Sequence, residues 1–202
     1  MQFFSLNTNM KNSPPTPPCH LLCFSHLRWD SVLLRPQYLL SRFARELNVY
    51  FFEEPVFDTD GDSFIAIRKK SAQLSIVVPH LAGNLTTEEV NESMTWLLDQ
   101  FLYHTNLNDW VFWYSTPMAL TYSAKFKPRQ TIYDCLNELT AFKFSFKELV
   151  GLEKKPSAKA DLVFKGDHSL HEGENQQSAK IIPFPGSLDI EHNSTKFAQN
   201  YL

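Results

Sequence analysis

Between His26 and Arg35 the chain gathers His26, Arg28, Trp29, Asp30 and Arg35, an unusual density of groups able to bind ligands. Guanidinium groups donate in pairs to phosphate or carboxylate, an indole offers an apolar platform to a sugar face, and a carboxylate accepts from hydroxyls. Together they would take a sugar or an anionic acceptor. The competing use of the same residues is structural. Trp29 and Leu33 would cover a sheet edge while Arg28 and Asp30 face water, or the cations would close internal pairs, Arg28 with Asp30 or Arg35 with Glu54.

What must position these residues is a strand before them and a helix after them. His20 to Leu27 is a nearly continuous apolar run, as in a strand buried on both faces. Pro36 suits a first helical turn, and Leu39, Leu40, Phe43, Ala44 and Leu47 recur at helical spacing. "NVYFFEEP" reads as a second buried strand, and "FIAIRKKSAQLSIVVPHL" as a hairpin with Arg68, Lys69 and Lys70 near its tip. "TTEEVNESMTWLLDQFLYHTNL" opens on Thr86 with Glu88 and Glu89 in its first turn and carries Val90, Met94, Leu97, Leu98, Phe101 and Leu102 along one face, the pattern of a capped amphipathic helix. Strand "VFWYS", helix "PMALTYSAKF", strand "TIYDC", helix "ELTAFKFSFKELVGL", strand "ADLVFKG", a short helix near "SLHEGEN" and strand "KIIPF" follow.

This alternation predicts an α/β fold: an open, mostly parallel, Rossmann-like sheet with helices on both faces. Ligands in such sheets bind beyond the carboxyl ends of the strands, so the loop of His26 to Arg35 lies at the ligand edge. The same rule brings Glu53 and Glu54, Ser115 and Thr116, Asp134 and Glu138, and Gly166, Asp167 and His168 to that edge. For Glu53 and Glu138 a surface or helix-terminus role is the preferred reading over a sugar-binding or basic one.

Composition narrows the function. At 202 residues one large domain is expected rather than two. Hydrophobic residues make up 43% and aromatics 14% of the chain, which fits a globular core. A net charge of −3 with no long basic run gives no footprint for nucleic acid. Four prolines between 14 and 18 mark residues 1–19 as a disordered tail. The absence of a signal peptide or an apolar span of roughly 20 residues points to the cytoplasm, with at most peripheral membrane contact.

Other chemistries find little support. His168, His171 and Glu172 lack the order of a zinc-binding H-E-x-x-H, Cys19 and Cys23 read as plain thiols, and no metal site is expected. Glycine-rich dinucleotide and P-loop motifs are missing. Phe142, Phe144 and Phe146 alternate inside an otherwise helical stretch and read as core packing.

The stretches "FSHLRWDSVLLRPQYLLSRFARELNVYFFEEPVF", "WYSTPMAL", "TIYDCLNELTAFK", "ADLVFKGDHSLHE" and "IIPFPGSLD" together resemble the N-terminal half of GT-B glycosyltransferases of the family 1/family 4 type, in particular a bacterial branch with F-S-H-x-R-W-D near its start and Y-D-x-x-[DN]-E in mid-domain. The resemblance implies a domain over residues 20–193 that receives the acceptor, followed by residues 194–202 as the start of a linker to a donor domain that binds the nucleotide-sugar. It implies metal-independent hexosyl transfer, usually with retention, and no cofactor beyond the nucleotide-sugar of the other domain. On this pattern His26, Arg28, Trp29 and Asp30 match the first-loop motif, and Arg35 reaches a phosphate at the helix N-terminus. Glu54 and Ser115 join them at the cleft. Asp134 stands where related enzymes carry the second residue of a His-Asp pair, with Tyr133 in place of the His, and is the one catalytic candidate. Asn137 and Glu138 line the same cleft. The segment from Phe184 to Leu188 departs from the family's usual residues, as do Gly166 and Asp167.

The function expected from this is the acceptor side of a nucleotide-sugar-dependent glycosyltransferase, with a sugar or glycolipid acceptor and a separate donor-binding domain as partners, inactive without that domain. The alternative is a non-catalytic module that binds a glycan or a partner through a crevice lined by Trp29, Tyr114 and Tyr133, or a degenerate fragment.

Overall fold

The computed structural model describes residues 19–31, 35–135, 160–165 and 180–183. The expected tail, the segments holding Asn137, Glu138, the three alternating phenylalanines, His168 and His171, and the stretch from Phe184 onward lie outside the described residues. So does the side chain of Arg35.

The described strands form one nine-stranded sheet in the order β3-β5-β2-β1-β6-β7-β8-β9, with β4 on β5. Their ranges are β1 His20–Phe24, β2 Asn48–Phe52, β3 Val56–Thr59, β4 Phe64–Lys69, β5 Leu74–Ala82, β6 Trp110–Tyr114, β7 Gln130–Cys135, β8 Leu162–Lys165 and β9 Lys180–Pro183. All pairings are parallel except β4 with β5. The chain builds outward from β1 in one direction through β2 and β5, then returns to lay β6 on the other side of β1. The switch point therefore falls between β1 and β6, where an open α/β sheet leaves a crevice at its carboxyl edge.

Each face of the sheet carries its own core. Leu21 and Cys23 of β1, with Phe51, Ile76, Trp113 and Ile132, pack under helix α1 (Arg35–Phe43) through Leu39, Leu40 and Phe43. Leu22 and Phe24, with Phe52, Val77, Phe112 and Tyr114, pack under helix α2 (Thr87–Phe101) through Met94, Leu97 and Leu98. The continuous apolar runs of β1 and β6 are explained by this, since each strand supplies both layers. Thr86 starts α2 with a capping box: its hydroxyl accepts from the Glu89 N–H and the Glu89 carboxylate accepts from the Thr86 N–H. No helix among the described residues is long and apolar enough to cross a membrane.

Three elements differ from expectation. β1 ends at Phe24 rather than Leu27, because the Ser25 hydroxyl accepts from the Leu27 N–H and turns the chain. The helix expected over "PMALTYSAKF" shrinks to a 3-10 turn at Pro117–Ala119 and one helical turn, α3, at Leu120–Ser123. β3 is an addition on the carboxyl half of β5. Pro79 sits on β5 where β2 has ended, opposite Val77, and β3 has not begun until His80, so its missing N–H interrupts no ladder.

Candidate functional site

The loop after β1 is held by a residue from the end of β2. Glu53 is buried, and its two carboxylate oxygens accept from the Arg28 guanidinium (3.0 Å) and the Trp29 N–H (2.8 Å). Arg28 donates further to the carbonyls of Glu54 (2.6 Å) and Pro55 (3.2 Å). The Trp29 ring meets Phe51 edge-on at 5.0 Å and packs on the α1-side core. This corrects the surface role expected for Glu53. Period-two alternation carried it: Val49 and Phe51 face the α1 side, and Glu53 is the next residue in that series.

Asp30 turns away from Arg28. Its carboxylate takes Arg68 and Lys70 from the β4–β5 hairpin, each at 2.6 Å, and these two cations hold it below the usual carboxylate range. The internal pairs are thus Arg28–Glu53 and Asp30 with Arg68 and Lys70, not the Arg28–Asp30 pair weighed from sequence. Glu54 is exposed as a residue, yet loss of water around its carboxyl raises it above the ordinary value, with the Arg28 charge opposing. His26 is half-buried in the same loop.

A second group converges at the switch point itself. Ser115 follows β6 and is fully buried; its N–H donates to the Phe24 carbonyl (2.9 Å) and its hydroxyl lies 3.8 Å from the Cys23 sulfur. Asp134 of β7 is buried, with Ile132, on the α1 side of the sheet, and its charge reaches Cys23. Burial drives the Cys23 thiol far up, the Ser115 contact opposes, and Asp134 adds to the rise, so the sulfur is a neutral thiol and not a nucleophile. Thr116 is buried beside Ser115 and caps the following turn by accepting from the Met118 N–H. Gln37, in the first turn of α1, is a buried polar residue that sequence reasoning passed over; its place one turn before the apolar series of Leu40 and Phe43 was the available signal.

Tyr114 and Tyr133 do not line an open crevice. Both are buried in the α2-side core, a correction to the platform expected of them. The Tyr114 hydroxyl pairs with Ser123 (2.8 Å) and is pushed up to about 12 by burial, against the effect of that bond. The β6–β7 strand ends thus carry their aromatic rings on one face and Ser115 and Asp134 on the other.

No protein-family model matches the chain, and no curated protein does. Solved structures do. A sucrose-phosphate synthase structure from Thermosynechococcus elongatus aligns with a TM-score of 0.55 at 12% identity, covering 90% of this chain and 97% of that one. A structure described as trehalose-6-phosphate from E. coli bound with UDP-2-fluoro glucose aligns at TM-score 0.47 and 9% identity over 74% of this chain and 40% of that one. An alpha,alpha-trehalose-phosphate synthase (UDP-forming) from Burkholderia xenovorans, in complex with glucose-6-phosphate, gives 0.46 and 9% over 75% and 41%. The aligned part spans about two fifths of the length of those two chains. With its mostly parallel sheet, its β1/β6 switch point and helices on both faces, the chain has an open Rossmann-like α/β fold similar to that of the sucrose-phosphate synthase structure.

Proposed function

We propose that this domain forms the acceptor side of a nucleotide-sugar-dependent glycosyltransferase, with the donor held by a separate domain across the cleft. The observation that carries the reading is the placement of two buried polar residues, Ser115 and Asp134, one position beyond the paired Tyr114 and Tyr133 at the carboxyl edge of the sheet, near the switch point. A carboxylate there accepts from a sugar hydroxyl, and the neighbouring Ser25–Arg28 loop, fixed by Glu53, sets the other wall. Arg35 is the first residue of α1, whose N–H groups favour an anion, and is counted with the acceptor-binding residues on the resemblance. Asn137 and Glu138, which follow β7 in the sequence, are counted with the acceptor-binding residues on the resemblance alone. The transfer is metal-independent and retaining, the compartment cytoplasmic, and the acceptor a free sugar or the head of a glycolipid. The 202 residues alone do not transfer sugar, because donor binding energy comes from the other domain.

Amide-resolved NMR titration of the chain with glucose, glucose 6-phosphate and UDP-glucose tests this. Saturable shifts at Ser25 to Arg28, Ser115, Thr116 and Asp134 are expected with the first or second ligand and not with the third. Asp134→Asn is expected to weaken that binding by about tenfold while the chain stays folded. Turnover of UDP-glucose by the chain alone, or hexose shifts that map elsewhere, sinks the proposal. Specific glycan binding that persists when a donor domain is supplied and yields no transfer selects the non-catalytic module instead.

A further inference from the structure

Among the described strands β4 pairs with β5 alone and is an edge. The Lys70 N–H donates to the Leu74 carbonyl at 2.8 Å, which sets the parity of this antiparallel ladder. Phe64, Ala66 and Arg68 turn their backbone groups toward β5, and Ile65, Ile67 and Lys69 turn theirs outward. The side chains do not blunt this edge throughout. Phe64 is 50% and Ile67 55% exposed. Phe64 lies on the α1 side, stacked on His80 at 4.6 Å, and Ile67 lies opposite Val77 on the α2 side. An edge with outward backbone groups and apolar side chains on both faces is a template for another strand.

Charge selects which strand. Asp58, Asp60 and Asp62 precede β4, and Arg68, Lys69 and Lys70 close it. Asp30 is one carboxylate facing two of those cations, so the basic end keeps a positive excess. A parallel in-register copy would set the basic run beside itself, and like charges across strands repel. An antiparallel copy centred on Ala66 does the reverse. It sets Asp62 opposite Lys70, Phe64 opposite Arg68 and Ile65 opposite Ile67, giving an ion pair, a cation on an aromatic ring and an apolar pair, each twice by symmetry. The outward residues Ile65 and Ile67 are then the ones that exchange backbone hydrogen bonds, as the ladder parity requires.

We propose that β4 pairs antiparallel with β4 of a second copy of this chain about Ala66, joining two sheets into one. The proposal does not rest on the glycosyltransferase reading, although Arg68 and Lys70 at the end of β4 also hold Asp30 of the loop after β1.

Sedimentation equilibrium over a concentration series tests it, with circular dichroism confirming that each variant is folded. The chain is expected to dimerise reversibly. Ile67→Pro removes an outward N–H and leaves the β5 ladder intact, and Asp62→Lys sets Lys against Lys70; each should weaken the dimer by about tenfold or more. The double variant Asp62→Lys with Lys70→Asp should restore association. A monomer up to on the order of 1 mM overturns the proposal. So does a dimer indifferent to Ile67→Pro and Asp62→Lys, or a double variant that stays as weak as Asp62→Lys.

Discussion

β1 begins and ends in different chemistry. At its amino end His20 stacks on Trp110 at 4.6 Å, Trp110 stacks on Tyr50 at 5.3 Å, and Phe101 of α2 closes the group edge-on to both Tyr50 and Trp110. At its carboxyl end, one strand length away, come Ser25, His26, Arg28 and Trp29, with Glu53 behind them and Ser115 alongside. The amino end spends its polar atoms: the Trp110 Nε1 and His20 Nδ1 are buried with no hydrogen-bond partner among the described residues. At the carboxyl end the Arg28 guanidinium and the Trp29 N–H are met by the Glu53 carboxylate and by main-chain carbonyls. Rigid apolar packing at one end and a polar, internally braced edge at the other is the division of labour of a parallel α/β sheet, with stability at the amino side and chemistry at the carboxyl side.

The largest expected effect sharpens that contrast. Trp110→Ala removes a nearly fully buried indole from a cluster of three other rings and should cost about 3–5 kcal/mol in urea denaturation, without moving the sugar-dependent shifts at Ser115 and Asp134. Loss of those shifts in a variant that remains folded would break the division between the two ends.

Next in size is the brace. Glu53→Ala leaves the Trp29 N–H and the Arg28 guanidinium without their carboxylate. The Arg28 side chain is 40% exposed and can be rehydrated, so the cost is set below that of a fully buried pair, at about 2 kcal/mol. Glu53→Gln keeps an acceptor for Trp29 and should cost less. Equal stability of Glu53→Ala and the parent chain would mean that the loop is not held from β2.

The division between the ends was legible in part. Continuous apolar runs announced β1, β2 and β6, and Thr86 with Glu89 announced the start of α2, because those signals are local. β3 was not: its four residues are half-buried or exposed and form a strand only by lying on the far half of β5. The density of reactive residues in the loop after β1 correctly marked the carboxyl edge. Their partners were illegible, since Arg28 meets Glu53 and Asp30 meets Arg68 and Lys70 across long stretches of sequence. Tyr114 and Tyr133 misled for the same reason, as residue type gives aromatic surface and only the sheet's two faces decide whether it is covered.

The smallest effect is read from pH at the amino end. Burial lowers the His20 pKa below its ordinary value of 6.5, with the charge of Asp109 opposing. The unfolded chain therefore binds a proton at a higher pH than the folded one does. Folding is favoured by the neutral ring, so the contribution is fully present above 6.5 and is lost as pH falls below it toward the folded-state value. Geometry agrees with that cause: among the described residues Nδ1 has no acceptor, so a protonated ring would hold a buried N–H with nothing to receive it. His20→Phe keeps an aromatic ring on Trp110 and removes the titration. Urea midpoints measured at pH 7 and pH 5 should fall less for His20→Phe than for the parent chain. Identical pH dependence in the two would mean that protonation of His20 is not resisted by the fold, and the amino end of β1 would then be less tightly closed than its stacked rings imply.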